Sequence, residues 1–261
     1  MRFVVAVKQV PDTSDVRIDE ERGTMIRDGV PSILNPFDAY ALEEALCWRD
    51  ELGGTVIVLS MGPPQAEAVL REAVSMGADE AVLLSDIAFA GADTWATSHT
   101  IAAAVRKLGG VDIVFTGKQA IDGDTAQTGP GIAASLDWPQ ITFAGKVREI
   151  STDTIVAERY VEGGIEVVRA SLPVVVTVLK DANTPRLPSL RGKMKARKLT
   201  IVPLTRTDLE LEENCVGLEG SPTRVVSIAT PEAKIGGEIH KGEPEELAVI
   251  IADYLLGEEH D

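Results

Sequence analysis

Residues 113–131 read IVFTGKQAIDGDTAQTGPG. A short apolar run, Ile113–Thr116, passes into a glycine-rich stretch and then into Gly131–Leu136 (GIAASL). This is the pattern of a buried strand, a turn and a short helix. Gly117, Gly123, Gly129 and Gly131 are expected to let the backbone approach a ligand closely and adopt positive φ. Asp122, Asp124, Thr125, Gln127 and Thr128 supply carboxylate, amide and hydroxyl groups. The free N–H groups of a helix starting just after Thr128–Gly129–Pro130 would form an anion site, so the loop reads as a nucleotide-phosphate loop. It is neither a Walker A loop, which needs GK[ST], nor a GxGxxG fingerprint. An ordinary glycine-rich βα turn accounts for the same composition.

Working outward, Phe3–Val7 (FVVAV), Thr55–Leu59 (TVIVL) and Ala81–Leu84 (AVLL) are further short apolar runs. Strands covered on both faces look like this. Helices are predicted between them. One starts at Asn35–Pro36, with an N-cap residue and proline at the first helical position, and runs to about Leu52, placing Leu42 and Leu46 inward before Gly53–Gly54. A second opens at Pro64, carries Ala66, Val69, Leu70, Ala73 and Val74 on one face, and stops at Gly77. A third spans about Thr94 to Leu108, with Ile101, Val105 and Leu108 inward. The alternation predicts an α/β fold with a parallel, helix-covered sheet, whose ligands bind at the carboxyl ends of the strands. Ser60–Pro64 (SMGPP) and Gly117–Gly131 occupy that edge. From Ile141 the period changes, and Ile141–Val147, Thr154–Val161, Glu166–Ala170 and Val174–Leu179 read as strands. They form either a β-rich extension of the same sheet or a small antiparallel subsheet.

The chain has 261 residues, 44% hydrophobic, enough for one large domain or a domain with an extension. No apolar run approaches the roughly 20 residues of a membrane helix. FVVAV follows a single basic residue without a signal peptide's apolar region, so a cytoplasmic location is expected. The net charge of −16 argues against broad nucleic-acid binding. Cys47 and Cys215 lie far apart, and Cys47, within a helical pattern, is expected to be a small buried hydrophobe.

Other candidates for chemistry are weaker. Asn35–Asp38 (NPFD) is explained by a helix start, although an exposed Phe37 and an acidic Asp38 could meet ribose hydroxyls or an amine. Ser60 is not in a GxSxG motif, and His99, His240 and His260 have no supporting spacing. Asp122 and Asp124 could hold Mg²⁺, but acidic turn residues usually serve the turn, as Asp153 and Asp181 do. Lys118 is the one lysine that could grip a phosphate in a nucleotide-processing hydrolase or transferase. Arg186–Lys198 (RLPSLRGKMKARK) holds six basic residues and no acidic one. It reads as a solvated loop, a nucleic-acid contact without interleaved aromatics, or a docking loop for an acidic protein with Leu187 and Leu190 as anchors. Residues 207–261 reverse the balance, with 14 Asp or Glu against 3 Lys or Arg, and end in a helix at Glu245–Leu256.

In order along nearly the whole chain, AVKQVPD, DGVPSILNPFDAYALEEAL, SMGPPQAEAVLREAVSMGADEAVLL, GKQAIDGDTAQTGP, LDWPQ and NTPRLPSLRGKMKARK resemble the β subunit of electron-transfer flavoproteins. The resemblance implies a heterodimer with an FAD-carrying α subunit. It also implies a sheet of the adenine-nucleotide α-hydrolase-like (Rossmann-like) type. Residues 1–205 would form the nucleotide-binding domain, including a partner-recognition loop at 184–198, and residues 206–261 an arm on the α subunit. By the same resemblance, the nucleotide would be lined by Ala6, by Asn35, Pro36, Phe37 and Asp38, and by Met61. The loop residues Gly117, Lys118, Gln119, Ala120, Ile121, Asp122, Gly123, Asp124, Thr125, Ala126, Gln127 and Thr128 would complete the lining, without any catalytic residue. Leu190 and Arg191 fall in the loop that docks partner dehydrogenases.

Members of this family hold either AMP or a second FAD in the β subunit. The AMP type passes single electrons from acyl-CoA dehydrogenases to a membrane quinone reductase. The second type oxidises NADH and splits its electron pair, sending one electron to a low-potential acceptor. VPDTSDVRIDEERGTMIRDGVPSI, GADTWATSHTIAAA, AIDGDTAQTGP with its Gly123, and GLEGSPTRV resemble the bifurcating, FAD-binding type, whereas NPFDAYALEEAL and LDWPQ also fit the AMP type. FAD is therefore the expected occupant and AMP the alternative. From another class, a stand-alone nucleotide-binding regulatory protein shares the topology, against which the long tail and basic stretch count.

Overall fold

A computed structural model of the protein describes residues 1–12, 18–19, 24–25, 32–227, 237 and 239–257. Its sheet has eight strands: β1 (Arg2–Ala6), β2 (Thr55–Met61), β3 (Glu80–Leu84), β4 (Ile113–Gly117), β5 (Gln140–Ile150), β6 (Thr154–Val161), β7 (Gly164–Ser171) and β8 (Val174–Val178). Their order is β7-β6-β5-β8-β4-β1-β2-β3. Neighbours are parallel except around β6, which is antiparallel to both β5 and β7. Of the two arrangements open for residues 141–179, the one that forms is an extension of the main sheet.

Strand alternation sorts the core into two layers. Phe3 and Val5 face one side with Val56, Val58, Ile113, Phe115, Val174 and Val176. Val4, Ile57, Leu59, Val114 and Val175 face the other. Each central strand is apolar at successive positions because both faces are covered. On the first side lie α1 (Pro36–Leu52) and α2 (Glu67–Met76), with Leu42, Leu46, Leu70 and Val74 fully buried. Each buried leucine contributes roughly 1.5–3 kcal/mol. On the second side lie α3 (Thr94–Leu108) and α4 (Thr128–Leu136). The N-cap of α3 is Asp93, whose carboxylate accepts the N–H groups of Trp95 and Ala96 at 2.9 and 3.0 Å.

Several local expectations change. Pro64 opens a 3₁₀ turn, Pro64–Ala66, and α2 follows at Glu67. The helix after the glycine loop begins at Thr128, three residues earlier than the pattern suggested, because Gly131 N–H already closes a turn on Gln127 C=O at 2.8 Å. None of Gly117, Gly123, Gly129 and Gly131 has positive φ; that conformation belongs to Asp124 (φ 53) and Ala126 (φ 55). The glycines instead make room for neighbours. A Cβ on Gly129 would lie 2.4 Å from Thr177 Cγ2, and one on Gly131 would lie 2.4 Å from Ser98 Oγ, so α4 can sit against β8 and α3 only without side chains there. Cys47 is exposed on α1 rather than buried. Partial burial and the neighbouring Glu43, which accepts the thiol hydrogen bond at 3.2 Å, push its pKa up to about 11, so it remains a thiol.

By contacts, the chain divides into Met1–Val226 and Ser227–Asp261. In the first unit, residues beyond the sheet fold back on it. Leu204 exchanges backbone hydrogen bonds with Leu83 and Ser85 at 2.8 and 3.0 Å, and Leu209 and Val216 are buried in the second layer. The second unit holds α6 (Pro244–Leu256), closed at its start by a reciprocal Glu243–Glu246 capping box. Val249, Ile251, Tyr254, Leu255 and Leu256 on this helix are exposed.

Gly129→Ala should lower the stability of the protein by about 1–3 kcal/mol in urea unfolding, the usual cost of overpacking a tight contact. Gly123→Ala should be close to neutral, because a Cβ there meets only Lys8 Nζ, at 4.0 Å. Equal losses at the two positions would refute the packing role assigned to Gly129.

Candidate functional site

The chain proceeds from β1 outward to β2 and β3, then returns to place β4 on the opposite side of β1. The carboxyl ends of β1 and β4 therefore flank a topological switch point, where parallel sheets bind ligands. Ala6 and Lys8 reach it from β1, Met61 from β2, Asn35–Asp38 at the start of α1, and Gly117–Thr128 from β4.

Asp38 holds these parts together. One carboxylate oxygen accepts Lys8 N–H at 2.8 Å and the other accepts Gly117 N–H at 3.2 Å. Its side chain is thus turned inward and buried, not presented to a ribose or amine, and Phe37 is half-buried. Burial raises the Asp38 carboxyl to about 7, against the opposing pull of these donors and the Lys8 charge. A Cβ on Gly117 would come within 2.4 Å of Asp38 Oδ1 and 2.7 Å of Phe37 Cβ, so this glycine admits the start of α1.

Asn35 also does something other than expected. Its side chain makes no cap bond. Instead Nδ2 donates to Gln119 C=O at 2.9 Å, and Oδ1 accepts Ile121 N–H at 3.3 Å. Asn35 thereby ties the phosphate-loop candidate to α1. Within the loop, Gln119 donates to the Asp124 carboxylate and Asp124 N–H closes on Ala120 C=O at 2.9 Å. Asp122 pairs with Lys8 at 2.6 Å. Both acids are committed to side-chain partners, and among the described residues no group of three His, Cys, Asp or Glu could hold a metal ion.

The donors left over are backbone ones. Among the described residues, the N–H groups of Thr125, Ala126, Gln127, Thr128 and Gly129 have no hydrogen-bond partner. Ala126 has φ 55 and Gln127 φ −111; such a sign change turns successive N–H groups into one concavity, an anion nest. The positive end of α4 adds to it. Free N–H donors at the carboxyl edge of the sheet fit the phosphate end of a nucleotide.

Lys118 takes another course. Its backbone N–H donates to Val178 C=O at 2.8 Å, and Nζ lies 5.6 Å from the Phe143 ring centroid, on the β8–β5 side of β4. The lysine that spans the crevice is Lys8, from β1. Its quoted motif, AVKQVPD, carried the signal: a cation just beyond the carboxyl end of the first strand. A second group also escaped the sequence reading. Asp93 accepts the N–H and Oγ1–H of Thr223 at 2.9 and 2.7 Å, and donates its own N–H to Ser221 Oγ at 2.8 Å. The distant GLEGSPTRV stretch therefore packs on the start of α3, where Thr94 Oγ1 meets Thr125 Oγ1 at 3.4 Å.

His99 stacks on Trp95 with ring centroids 5.4 Å apart, and burial lowers its pKa. Ser60 Oγ is buried without a hydrogen-bond partner. Asp153 belongs to the Ser151–Thr154 turn and Asp181 has φ 69. His260 lies outside the described residues.

The basic stretch is a helix rather than a loop. Ser189 Oγ caps α5 (Leu190–Lys198) by accepting Gly192 N–H at 2.9 Å. Gly192 lets α5 approach α2, since a Cβ there would lie 2.1 Å from Ser75 O. Two of the six cations serve the fold. Arg186 pairs with the buried Glu43 at 2.9 Å, and Lys195 donates to Ala78 C=O at 3.0 Å. Arg191, Lys193, Arg197 and Lys198 are exposed, as are Leu187, Leu190 and Met194.

Comparison with known proteins shows the family. The profile of the electron transfer flavoprotein domain matches residues 22–209. The electron transfer flavoprotein subunit beta of Thermoanaerobacterium thermosaccharolyticum is 53% identical over 256 residues, covering 98% of each chain. The caffeyl-CoA reductase-Etf complex subunit CarD of Acetobacterium woodii is 51% identical, over 93% of this chain and 92% of that one. Protein FixA of Bradyrhizobium diazoefficiens is 45% identical, over 90% and 84%.

The raised Asp38 pKa has a definite linkage sign. The folded state keeps this proton up to about 7, whereas the group's ordinary value is 3.8. Its contribution to stability is therefore fully present below about 4, falls as pH rises, and levels off above about 7. Asp38→Asn should lack this fall, so unfolding free energies of the two proteins measured from pH 4 to 8 should diverge between those limits. Parallel profiles would refute the assignment.

Proposed function

This chain belongs to the electron transfer flavoprotein family as a β subunit, paired with an α subunit in electron transport, and on that premise we propose that its switch-point crevice holds FAD. The observation that carries nucleotide binding is the set of N–H groups at Thr125–Gly129 left without partners among the described residues, at the carboxyl edge of a parallel sheet, and the open space at Gly123 supports FAD as the occupant. Asn35 and Asp38 hold the loop and strand ends in place, while Gly117–Thr128 surrounds the phosphates. The chain's task is to bind and orient the nucleotide; FAD, when bound, supplies the redox chemistry, and no nucleophile or general acid is required.

AMP is the second reading. One nest at one helix terminus matches a single phosphate, which favours a mononucleotide. The occupant decides the chemistry of the pair: a second flavin beside that of the α subunit is what NADH oxidation and electron bifurcation require, and AMP leaves a single-electron carrier.

For partners, the exposed cations of α5 with Leu187, Leu190 and Met194 support docking of an acidic surface on an acyl-CoA-type dehydrogenase, with Leu190 as anchor and Arg191 beside it. CarD, by its name a subunit of a caffeyl-CoA reductase complex, supports a CoA-ester oxidoreductase as the partner class. A quinone reductase or a low-potential acceptor would stand at the other end. The acidic arm 206–261 carries an apolar helix face at Val249–Leu256, which suits packing on the α subunit. The reading places the pair in the cytoplasm; no described helix is long and apolar enough to cross a membrane.

Nucleotide extraction from the purified heterodimer tests the central claim. Two FAD per heterodimer is the expected result. One FAD with one AMP would overturn the FAD reading, and bifurcation with it.

A further inference from the structure

Lys8 lies two residues beyond the end of β1, and its backbone is held on both sides. Its N–H donates to Asp38 at 2.8 Å and its C=O accepts Asn35 N–H at 2.9 Å. From this anchored start the side chain crosses from the β1 end to the loop and reaches Asp122 at 2.6 Å. It is the only cation ion-paired to the loop among the described residues.

The two partners of this ion pair are unequally covered. The Asp122 side chain is 11% exposed and that of Lys8 is 45% exposed. An ammonium has three N–H donors, and among the described residues Asp122 is the one acceptor that Nζ contacts. The space beside it is kept open by the missing side chain of Gly123. A Cβ at that position would have Lys8 Nζ as its sole neighbour within 4 Å, at 4.0 Å. The need for a cation is electrostatic. Asp122 stands on the same loop as the N–H nest, three residues before Thr125, and would repel an arriving phosphate unless its charge were offset.

We propose that Lys8 binds a second phosphate of the nucleotide, apart from the one held by the nest at the start of α4, and that Gly123 keeps room for it. Lys8 is then shared between Asp122 and the ligand, and together with Gly123 it selects a dinucleotide's pyrophosphate over the single phosphate of AMP. This rests on the reading that the crevice binds a nucleotide, and it assigns the choice of nucleotide to two residues. The selecting charge comes from the first strand rather than from Lys118, whose ammonium lies over Phe143.

The test uses the heterodimer, with FAD and AMP quantified after extraction and FAD affinity measured by titrating the nucleotide-stripped complex. Lys8→Met removes the charge and also the bond to Asp122. Lys8→Arg keeps both. Gly123→Asp leaves Lys8 and Asp122 in place but adds a carboxylate that competes for the ammonium. The wild-type complex should hold two FAD, and Lys8→Arg should match it. Lys8→Met and Gly123→Asp should fall to one FAD, or bind FAD at the β site on the order of tenfold to a hundredfold more weakly, the range of one charge-assisted hydrogen bond. Their AMP affinity should change less than their FAD affinity.

Wild type with two FAD and Lys8→Met unchanged would make Lys8 a loop latch only, overturning this inference while leaving the FAD reading intact. Wild type with one FAD and one AMP overturns the FAD reading, and pyrophosphate selection with it. Should Lys8→Met fail to assemble, Gly123→Asp decides alone: unchanged FAD content and affinity would overturn the proposal.

Discussion

A buried carboxylate that accepts backbone N–H groups at the ends of two different strands constrains everything around it. Asp38 does this for Lys8, past the end of β1, and for Gly117, at the end of β4. Those strands flank the reversal in sheet order, so the bonds fix the width of the crevice at its base. They also fix the start of α1, because Asp38 stands in that helix's first turn. Gly117 can be nothing larger, since a Cβ would collide with Asp38 itself. Burying the carboxyl is costly, which is what its raised pKa expresses; the cost is set against two backbone donors that would otherwise lack acceptors.

The loop above this anchor divides its tasks between residue types in an instructive way. Its glycines at 117, 129 and 131 provide clearance for helices and carry no positive φ. The left-handed conformations fall on Asp124 and Ala126, where an L side chain is disfavoured. Bonds from Asn35, Gln119 and Ala120 hold that shape, and the N–H groups that follow are left without partners among the described residues. Local strain held by surrounding structure is a feature of binding sites, and here it coincides with the donors a phosphate would use.

Charge is distributed with similar economy in a chain of net charge −16. The basic stretch spends Arg186 and Lys195 on holding itself against α1 and α2, leaving Arg191, Lys193, Arg197 and Lys198 outward. An isolated basic patch on an acidic protein is a directional feature, able to orient an acidic partner before apolar side chains touch. The crevice cation, Lys8, is paired with one carboxylate of the loop and remains half open.

The sequence by itself determined the layered architecture. Apolar runs at Phe3–Val7, Thr55–Leu59 and Ile113–Thr116, separated by amphipathic helical patterns, leave a helix-covered parallel sheet as the arrangement that buries them. It also placed glycine-rich loops at the carboxyl edge of that sheet, because strand ends and glycine loops are local features. What it could not reveal was which atoms meet across long stretches of chain. Asn35 reads locally as a helix cap, yet its amide bonds to a loop more than eighty residues away. Phe37 reads as exposed and is half-buried; Cys47 reads as core and is exposed; Lys118 reads as the one candidate to grip a phosphate, while Lys8 is the lysine that reaches the loop acid Asp122. Arg186–Lys198 reads as a solvated loop because six cations dominate it, yet Leu190–Lys198 is helical, with Ser189 as its cap and Gly192 close against α2. In each case the periodicity of burial is encoded by neighbours in sequence, whereas the partner of a polar side chain is chosen by residues that only the folded sheet brings near.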